Sequence, residues 1–357
     1  MGKNTLKQLG YSGQIKELIG EEIESAELAR VSAEHKERYQ IINEDGTLQA
    51  EITGNIRYAA QTRADFPAVG DWVKITRIDK DSAVILKVFP RYSFLERQAV
   101  GKQGEIQLIA ANIDVAFIVQ AVGHDFNLNR LERYLSICYA GKIEPVIVLT
   151  KIDLIEKEEL EALQNQIKAR NAKVPLFVVS NVTLDGLEQL REKMEPYETY
   201  CFIGSSGVGK STLINCLLED DMLETSQISD STSKGRHTTT HRELIILPNE
   251  SIVIDTPGMR ELGITNQEGG LELTYDQIAE LAENCRFNDC SHENEKGCAV
   301  LKAVEYGSLS EEMYNNYLKL KREQEHFSST VHEKRQKGKE FGKMVKEVSR
   351  LRKNNKY

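Results

Sequence analysis

The chain has 357 residues, 40% of them apolar and 28% charged, and a net charge of −9. That length leaves room for roughly two or three domains with cores of their own, and the composition is that of a soluble globular protein, not a fibrous or disordered one. No apolar run nears the roughly 20 residues of a membrane span, no signal peptide opens the chain, and its six cysteines are too few for a disulfide framework, so a cytoplasmic protein without membrane contact is expected.

Residues 1–27 hold a glycine-broken start, the stretch Ile15-Lys16-Glu17-Leu18-Ile19 and an acidic run from Glu21 to Glu24. They read as a capping helix or a poorly ordered arm, and no function is assigned to them. From 28 to 98 the pattern changes to short alternating segments. Tyr39–Ile42 and Leu48–Ile52 flank Asn43-Glu44-Asp45-Gly46, a hairpin signal, and Val69–Ile75 and Ala83–Val88 follow. Five short strands in such a span predict a small Greek-key β-barrel of the OB-fold type. Barrels of this kind often bind RNA through basic and aromatic loops, which makes Arg57, Tyr58, Arg63, Arg91 and Tyr92 candidate RNA contacts.

Between 99 and 265 buried runs alternate with helical periods. Asp114–Val119 reads as a strand, Asn129–Tyr139 as a helix, 145–149 as a strand, Lys157–Ala169 as a helix, 174–179 as a strand and 185–194 as a helix. Strands alternating with helices predict a doubly wound α/β sheet with right-handed crossovers, whose ligands bind at the carboxyl ends of the strands. The strand Pro145–Leu149 ends in Thr150-Lys151-Ile152-Asp153, the pattern T-K-x-D. A carboxylate at Asp153 can accept from both the N1–H and the N2 amine of guanine, a pair that adenine lacks, while the Lys151 stem lies across the base. After Val178-Val179 come Ser180 and Asn181, also at a strand end.

Next comes Thr199-Tyr200-Cys201-Phe202-Ile203, a short buried strand, and then Gly204-Ser205-Ser206-Gly207-Val208-Gly209-Lys210-Ser211. This is G-x-x-x-x-G-K-S, a phosphate-binding loop, and Thr212–Leu218 starts the helix that the motif needs behind it. Its glycines let the backbone amides wrap a phosphate chain at a helix N-terminus. Lys210 reaches the β/γ-phosphates and the Ser211 hydroxyl holds Mg²⁺. Downstream, Gly235-Arg236-His237-Thr238-Thr239-Thr240 precedes the strand Ser251–Ile254, which ends in Asp255-Thr256-Pro257-Gly258, a D-x-x-G. Asp255 is placed to bind the Mg²⁺ shell and the Gly258 N–H to sense a γ-phosphate.

After Gly263 the composition turns helical and polar. Residues 266–335 contain Cys285, Cys290, His292 and Cys298 in the spacing C-x4-C-x-H-x5-C. Three thiolates and an imidazole suit a closed tetrahedral Zn²⁺ site of structural type, one per chain. The remaining cysteines, Cys138, Cys201 and Cys216, fall on apolar faces and read as core. From Lys334 through the tail 336–357, Lys and Arg outnumber Glu333, Glu340 and Glu347, so this acidic protein ends in a basic segment. Such a segment is either an RNA-binding arm or a solvated helix.

In ordinary small GTPases the phosphate-binding loop comes first and T-K-x-D last; here T-K-x-D comes first. The chain resembles the circularly permuted ribosome small-subunit-dependent GTPase A family (RsgA, also YjeQ or YloQ). The likeness runs from roughly residue 28 to 320 and includes the linker Ala110-Ala111-Asn112-Ile113-Asp114 and the spacing of the Cys/His cluster. It implies an OB barrel, a permuted GTPase domain and a helical zinc domain, with Ser180 and Asn181 in the second base-contacting loop and Gly235–Thr240 as switch I. It further implies that the protein hydrolyses GTP to GDP in late maturation of the 30S ribosomal subunit, binds 16S rRNA, is stimulated by the subunit and acts as a monomer.

Phosphoryl transfer to water rests on positioned charge. Lys210 and the loop amides of Gly204 to Thr212 supply part of it. Ser211 and one switch I threonine, Thr238 or Thr239, complete the Mg²⁺ shell. Where many GTPases carry a water-orienting Gln after D-x-x-G, this chain has Met259. His237 is then the candidate to position or deprotonate the water, the other reading being that it only shapes switch I. In this chain order switch II leads straight into the zinc domain, and the barrel is expected near the base-recognition side. Two rival readings are a metabolic P-loop kinase or ATPase, against which T-K-x-D counts, and a GTP-switched ribosome-binding scaffold with negligible catalysis, which Met259 leaves open.

Overall fold

The computed structural model describes residues 5–20, 22–35, 38–98, 106–218, 243–255 and 269–326. The chain opens on helix α1 (Gly13–Ile19), started by the Ser12 hydroxyl accepting from the Ile15 amide and stopped by Gly20 in the left-handed region. Leu9, Ile15 and Ile19 are buried in one cluster with Leu28, Trp72 and Phe89. The segment is therefore a packed cap on the next unit.

That unit is a closed barrel of β1 (Leu28–His35), β2 (Arg38–Asn43), β3 (Gly46–Ile52), β4 (Trp72–Arg77) and β5 (Ser82–Val88), with helix α2 (Gly54–Ala59) between β3 and β4. The strands run round the barrel in the order β1-β2-β3-β5-β4 and back to β1. Only the β3–β5 pairing is parallel. This is the arrangement expected of an OB-fold. Alternation along β3 buries Leu48, Ala50 and Ile52, which meet Val31, Ile41, Val73 and Ile85 inside.

A two-stranded ribbon, β6 (Phe94–Gln98) and β7 (Ile106–Ala111), leads into the α/β unit. Its elements are β8 (Val115–Ala121), α3 (Leu128–Ala140), β9 (Glu144–Thr150), α4 (Lys157–Arg170), β10 (Leu176–Val178), α5 (Leu187–Glu192), β11 (Thr199–Ile203), α6 (Lys210–Leu218), β12 (Glu243–Ile246) and β13 (Ile252–Asp255). The spatial order is β10-β9-β8-β11-β13-β12, all parallel except β12. Both faces are covered: Val115, Phe117 and Val119 of β8 join one apolar cluster, Ala116 and Ile118 the other.

The barrel does not sit where chain order suggested. β9 and β10, which carry the base-recognition loops, lie at one end of the sheet, and the barrel joins the opposite end through an Ala33–Glu243 pairing of β1 with β12. The chain enters the sheet at its centre, but the strand edge open to β1 is that of β12. A buried polar joint secures this placement. Arg30 donates to the carbonyls of Leu9 (2.7 Å), Gly70 (3.2 Å) and Asn112 (3.0 Å) and to Thr199 Oγ1 (2.9 Å). Beside it Asp114 accepts from the Thr199 amide (2.7 Å) and the Tyr92 hydroxyl (2.8 Å). A side chain at Gly70 would collide with the Ala111 carbonyl, so this close approach requires glycine.

The same joint removes two of the candidate RNA contacts. Arg91 is spent on Asp71, at 2.7 and 2.6 Å, and on the carbonyls of Ala64 and Phe66, while Tyr92 is committed to Asp114. Arg57, Tyr58 and Arg63 are exposed on the barrel.

The last unit is helical: α7 (Gly270–Thr274), α8 (Asp276–Ala282), α9 (Ala299–Glu305) and a helix α10 described from 311 to 326. It docks on α3. A Cβ at Gly270 would strike the Ser136 carbonyl, and Ser136 and Thr274 share a 2.9 Å hydrogen bond. The buried Glu132 carboxylate accepts from Asn316 (2.6 Å) and Tyr275 (3.1 Å) and meets Arg170 at 3.3 Å. Among the described residues no helix is long and apolar enough to cross a membrane.

Candidate nucleotide and metal sites

The carboxyl ends of β9, β10, β11 and β13 form one edge, and the loops that follow β9, β10 and β11 touch one another. After β11 the loop turns at Gly204, Gly207 and Gly209, with φ of 149°, 81° and 97°. Gly204 has no room for a side chain against the Val119 carbonyl. The Lys210 ammonium reaches back over this loop to the carbonyls of Gly204 (2.7 Å) and Ser205 (2.6 Å), so loop and lysine shape each other. The Ser205 side chain lies beside Tyr134 of α3, whose hydroxyl is pushed to a higher pKa chiefly by burial, with Ser205 opposing the rise. Sequence reasoning missed Tyr134, an aromatic in an amphipathic helix with no local motif around it.

The loop after β9 carries T-K-x-D. The Thr150 hydroxyl lies 2.6 Å from the Val208 carbonyl, tying this loop to the phosphate-binding loop. Lys151 takes a left-handed conformation (φ 61°, ψ 32°), uncommon for a side-chain-bearing residue and often found at functional sites. The Asp153 carboxylate receives the Ser180 hydroxyl at 2.6 Å. Ser180 Oγ in turn accepts from the amides of Val182 (3.1 Å) and Thr183 (3.0 Å), a local turn that presents it to Asp153. The Asn181 side chain donates to the Gly209 carbonyl at 3.0 Å. Ser211 and Thr212 open α6, and Asp255 ends β13, nearly buried, in the strand beside β11. Chain segments distant in sequence, 150–153, 180–181 and 204–212, are thus brought together. His237, Thr238, Thr239, Gly258 and Met259 lie outside the described residues, as does the basic tail.

The second site is in the helical unit. Cys285, Cys290, His292 and Cys298 hold their ligand atoms within 4.8 Å of one another and form a group that could bind a metal ion. Metal bonds of about 2.3 Å to sulfur and 2.05 Å to nitrogen, at tetrahedral angles, put two sulfurs about 3.8 Å apart and sulfur and nitrogen about 3.6 Å apart. The spacings are 3.8 Å for Cys285–Cys298 and 3.6 and 3.5 Å from His292 Nδ1 to Cys285 and Cys298. The donor set therefore fits such an ion. Backbone amides of Ala299 and Leu301 point at the Cys285 and Cys298 sulfurs, both 3.4 Å away. At Cys285, against burial that raises it, the backbone hydrogen bonds hold the thiol below its ordinary pKa, toward the thiolate form that a metal needs. Tyr314 holds the His292 carbonyl (2.7 Å), and His292 itself sits at φ 67°. The cysteines taken as core divide: Cys138 and Cys201 are fully buried and Cys216 is half-buried.

A family model for the RsgA GTPase matches residues 88–265. One for the ABC transporter matches 187–349, a span that includes the phosphate-binding loop. The small ribosomal subunit biogenesis GTPase RsgA 1 of Bacteroides thetaiotaomicron is 41% identical over 91% of each chain. The corresponding RsgA 2 of Listeria monocytogenes is 44% identical over 89% of each. Among solved structures, YjeQ from Thermotoga maritima aligns with a TM-score of 0.63 at 26% identity, covering 84% of this chain and 98% of its own. YloQ, described as a circularly permuted GTPase, aligns at 0.60 and 26%, covering 84% and 95%.

Proposed function

This chain belongs to the RsgA GTPase family and is a GTP-hydrolysing enzyme of small ribosomal subunit biogenesis, and from that premise we propose how its residues divide the work. The observation that carries the reading is the convergence of three loops on one sheet edge, with Asp153 held by Ser180 and the phosphate-binding loop held by Thr150 and Asn181.

Asp153 reads the guanine N1–H and N2 amine, and the Lys151 stem covers the base. The amides of Gly204, Ser205, Ser206, Gly207, Val208, Gly209, Lys210, Ser211 and Thr212 surround the phosphates. Lys210 neutralises charge on the β/γ oxygens. A Mg²⁺ ion, which supplies further positive charge there, would be held by Ser211 and by Thr239 or Thr238, with Asp255 in its outer shell. Gly258 senses the γ-phosphate. Cys285, Cys290, His292 and Cys298 hold one structural Zn²⁺.

The bounds proposed are an arm at 1–27, the barrel at 28–98, the GTPase domain at 99–265, the zinc domain at 266–335 and a basic tail at 336–357. The partner is the 30S subunit and its 16S rRNA, met by the barrel loops with Arg57, Tyr58 and Arg63 and by the tail. The protein acts as a cytoplasmic monomer. Because the barrel abuts β12, the strand that follows switch I in sequence, rRNA bound there lies on the switch side of the GTPase, away from the base.

With Met259 in place of a water-orienting Gln, resting turnover is slow, and a partner that orders His237 raises it. Purified 30S subunits are expected to accelerate GTP hydrolysis at least tenfold, about 1.4 kcal/mol of barrier. Turnover and co-sedimentation with 30S, 50S or no ribosome, at two salt concentrations, make the check. Binding should weaken as salt rises and be tighter with GTP than with GDP. No acceleration and no nucleotide-dependent binding would make the ribosomal reading wrong, while nucleotide-dependent binding without acceleration would leave a GTP-switched scaffold. His237→Ala is expected to leave nucleotide affinity near wild type and to lower turnover by about 10- to 10³-fold. Equal turnover in single-turnover assays would make His237 structural.

A further inference from the structure

We propose that the Asn181 side chain is a positioning residue of the phosphate cradle and not a reader of the base, an inference that rests on the nucleotide reading above. Sequence position places Asn181 in the base-contacting loop, but its amide nitrogen is donated elsewhere, to the Gly209 carbonyl at 3.0 Å. Only this orientation of the amide makes a bond, since a carbonyl accepts and cannot donate. Asn181 Oδ1, the other half of the amide, is buried without a hydrogen-bond partner. The residue is used at this position as a donor.

What the donor does follows from peptide geometry. In a planar trans peptide the C=O and the next N–H point in opposite directions. Fixing the Gly209 oxygen on one side therefore turns the Lys210 N–H to the other, into the concave side of the loop. The Gly209 carbonyl already accepts from the Leu213 amide at 2.8 Å, the first helical bond of α6, so Asn181 fills its second lone pair. Thr150 does the same for the preceding peptide: with the Val208 oxygen held at 2.6 Å, the Gly209 N–H is turned inward. Two successive amides are aimed from the base-recognition side of the site.

Glycine makes this aiming necessary as well as possible. Gly209 sits at φ 97°, and a Cβ there would come within 2.8 Å of Asn181 Nδ2. The position must be glycine for the side chain to reach the carbonyl. Glycine, in turn, widens the rotation open to this peptide, which without Asn181 would be held at its oxygen by the Leu213 amide alone among the described residues. Asn181 thereby links the loop beside the base to the loop around the phosphates, so that the amides are in place before a ligand arrives.

The test compares GDP, GMP and IDP affinities, by calorimetry or competition with Mg²⁺ present, for the wild-type protein, Asn181→Ala and Asn181→Asp. GDP carries the β-phosphate that fills the cradle and GMP does not; IDP keeps the phosphates but lacks the 2-amino group. Asn181→Ala should weaken GDP about five- to tenfold, the worth of one hydrogen bond. GMP affinity and the GDP:IDP ratio should not change. Asn181→Asp, of the same shape but without the donor, should lose at least as much. Unchanged GDP affinity in either variant overturns the proposal. So does an equal loss for GMP and GDP, or a shifted GDP:IDP ratio, which would make Asn181 a base contact. Thermal unfolding of the nucleotide-free variants at the wild-type temperature separates positioning from misfolding. A wild-type protein that binds no GDP would instead defeat the nucleotide reading itself.

Discussion

Asp153→Asn is expected to weaken GTP binding by about 2–4 kcal/mol, roughly 30- to 1,000-fold, and to shift preference toward xanthosine nucleotides. A carboxylate accepts from both guanine donors at once. An amide accepts from only one and sets its own N–H₂ against the other, which leaves a desolvated donor without a partner. Xanthine carries an oxygen where guanine carries the 2-amino group, so the new donor finds an acceptor there. The setting of Asp153 strengthens the expectation. Ser180 donates to it at 2.6 Å and is itself fixed by two amides, so the carboxylate cannot swing away to relieve the mismatch. The measurement is equilibrium binding of GTP and XTP to both proteins. Unchanged GTP affinity in the variant would sink the assignment of Asp153.

Cys298→Ser should have an equally large effect, in the helical unit. The substitution removes a buried sulfur that serves two elements: the four-residue cluster and the first turn of α9, where it accepts from the Leu301 amide. Mutating partners in the outer shell of a metal site costs about 10- to 100-fold in affinity, so loss of a direct ligand is expected to cost about 10³-fold or more. Metal analysis of protein purified without added zinc should give one Zn²⁺ per wild-type chain and close to none in the variant. Because metal binding and folding of small metal domains are linked, the helices around the cluster should also lose protection from hydrogen exchange. The barrel and the opposite face of the GTPase sheet, whose apolar clusters contain none of these helices, should keep theirs, whereas the sheet face that shares a cluster with Cys298, Val300 and Leu320 should lose some. A wild-type protein with an intact fold and no zinc would rule out the site.

The barrel's attachment to β12 changes how a partner would act. Read along the chain, the barrel precedes T-K-x-D and belongs near the base. In space it sits at the far edge of the sheet. A partner docked on the barrel would sit on the β12 side of the sheet, at the end opposite the loops that follow β9 and β10. The helical unit lies against α3, whose Tyr134 is beside Ser205 of the phosphate-binding loop and whose Glu132 and Ser136 bond to Tyr275, Asn316 and Thr274.

The sequence by itself determined what is written in short stretches. A strand, a glycine loop and a helix start are contiguous at 199–218, and T-K-x-D and D-x-x-G each close a single apolar strand, so local spacing is enough to announce a guanine-nucleotide site. The four residues of the Cys/His cluster lie within a stretch of 14, and the period-2 burial of the barrel strands needs only its own neighbours. Three-dimensional packing decided the rest, because those contacts join positions far apart in sequence that no periodicity connects. Thr150 finds Val208 across 58 positions, Asn181 finds Gly209 across 28, and Arg30 finds Thr199 across 169. Arg91 and Tyr92 illustrate the limit: as sequence they are a basic and an aromatic residue in a loop, suited to RNA. Burial at the joint obliges each to find a partner within the protein, since an unpaired polar group there would be costly, and that need outweighed exposure to solvent.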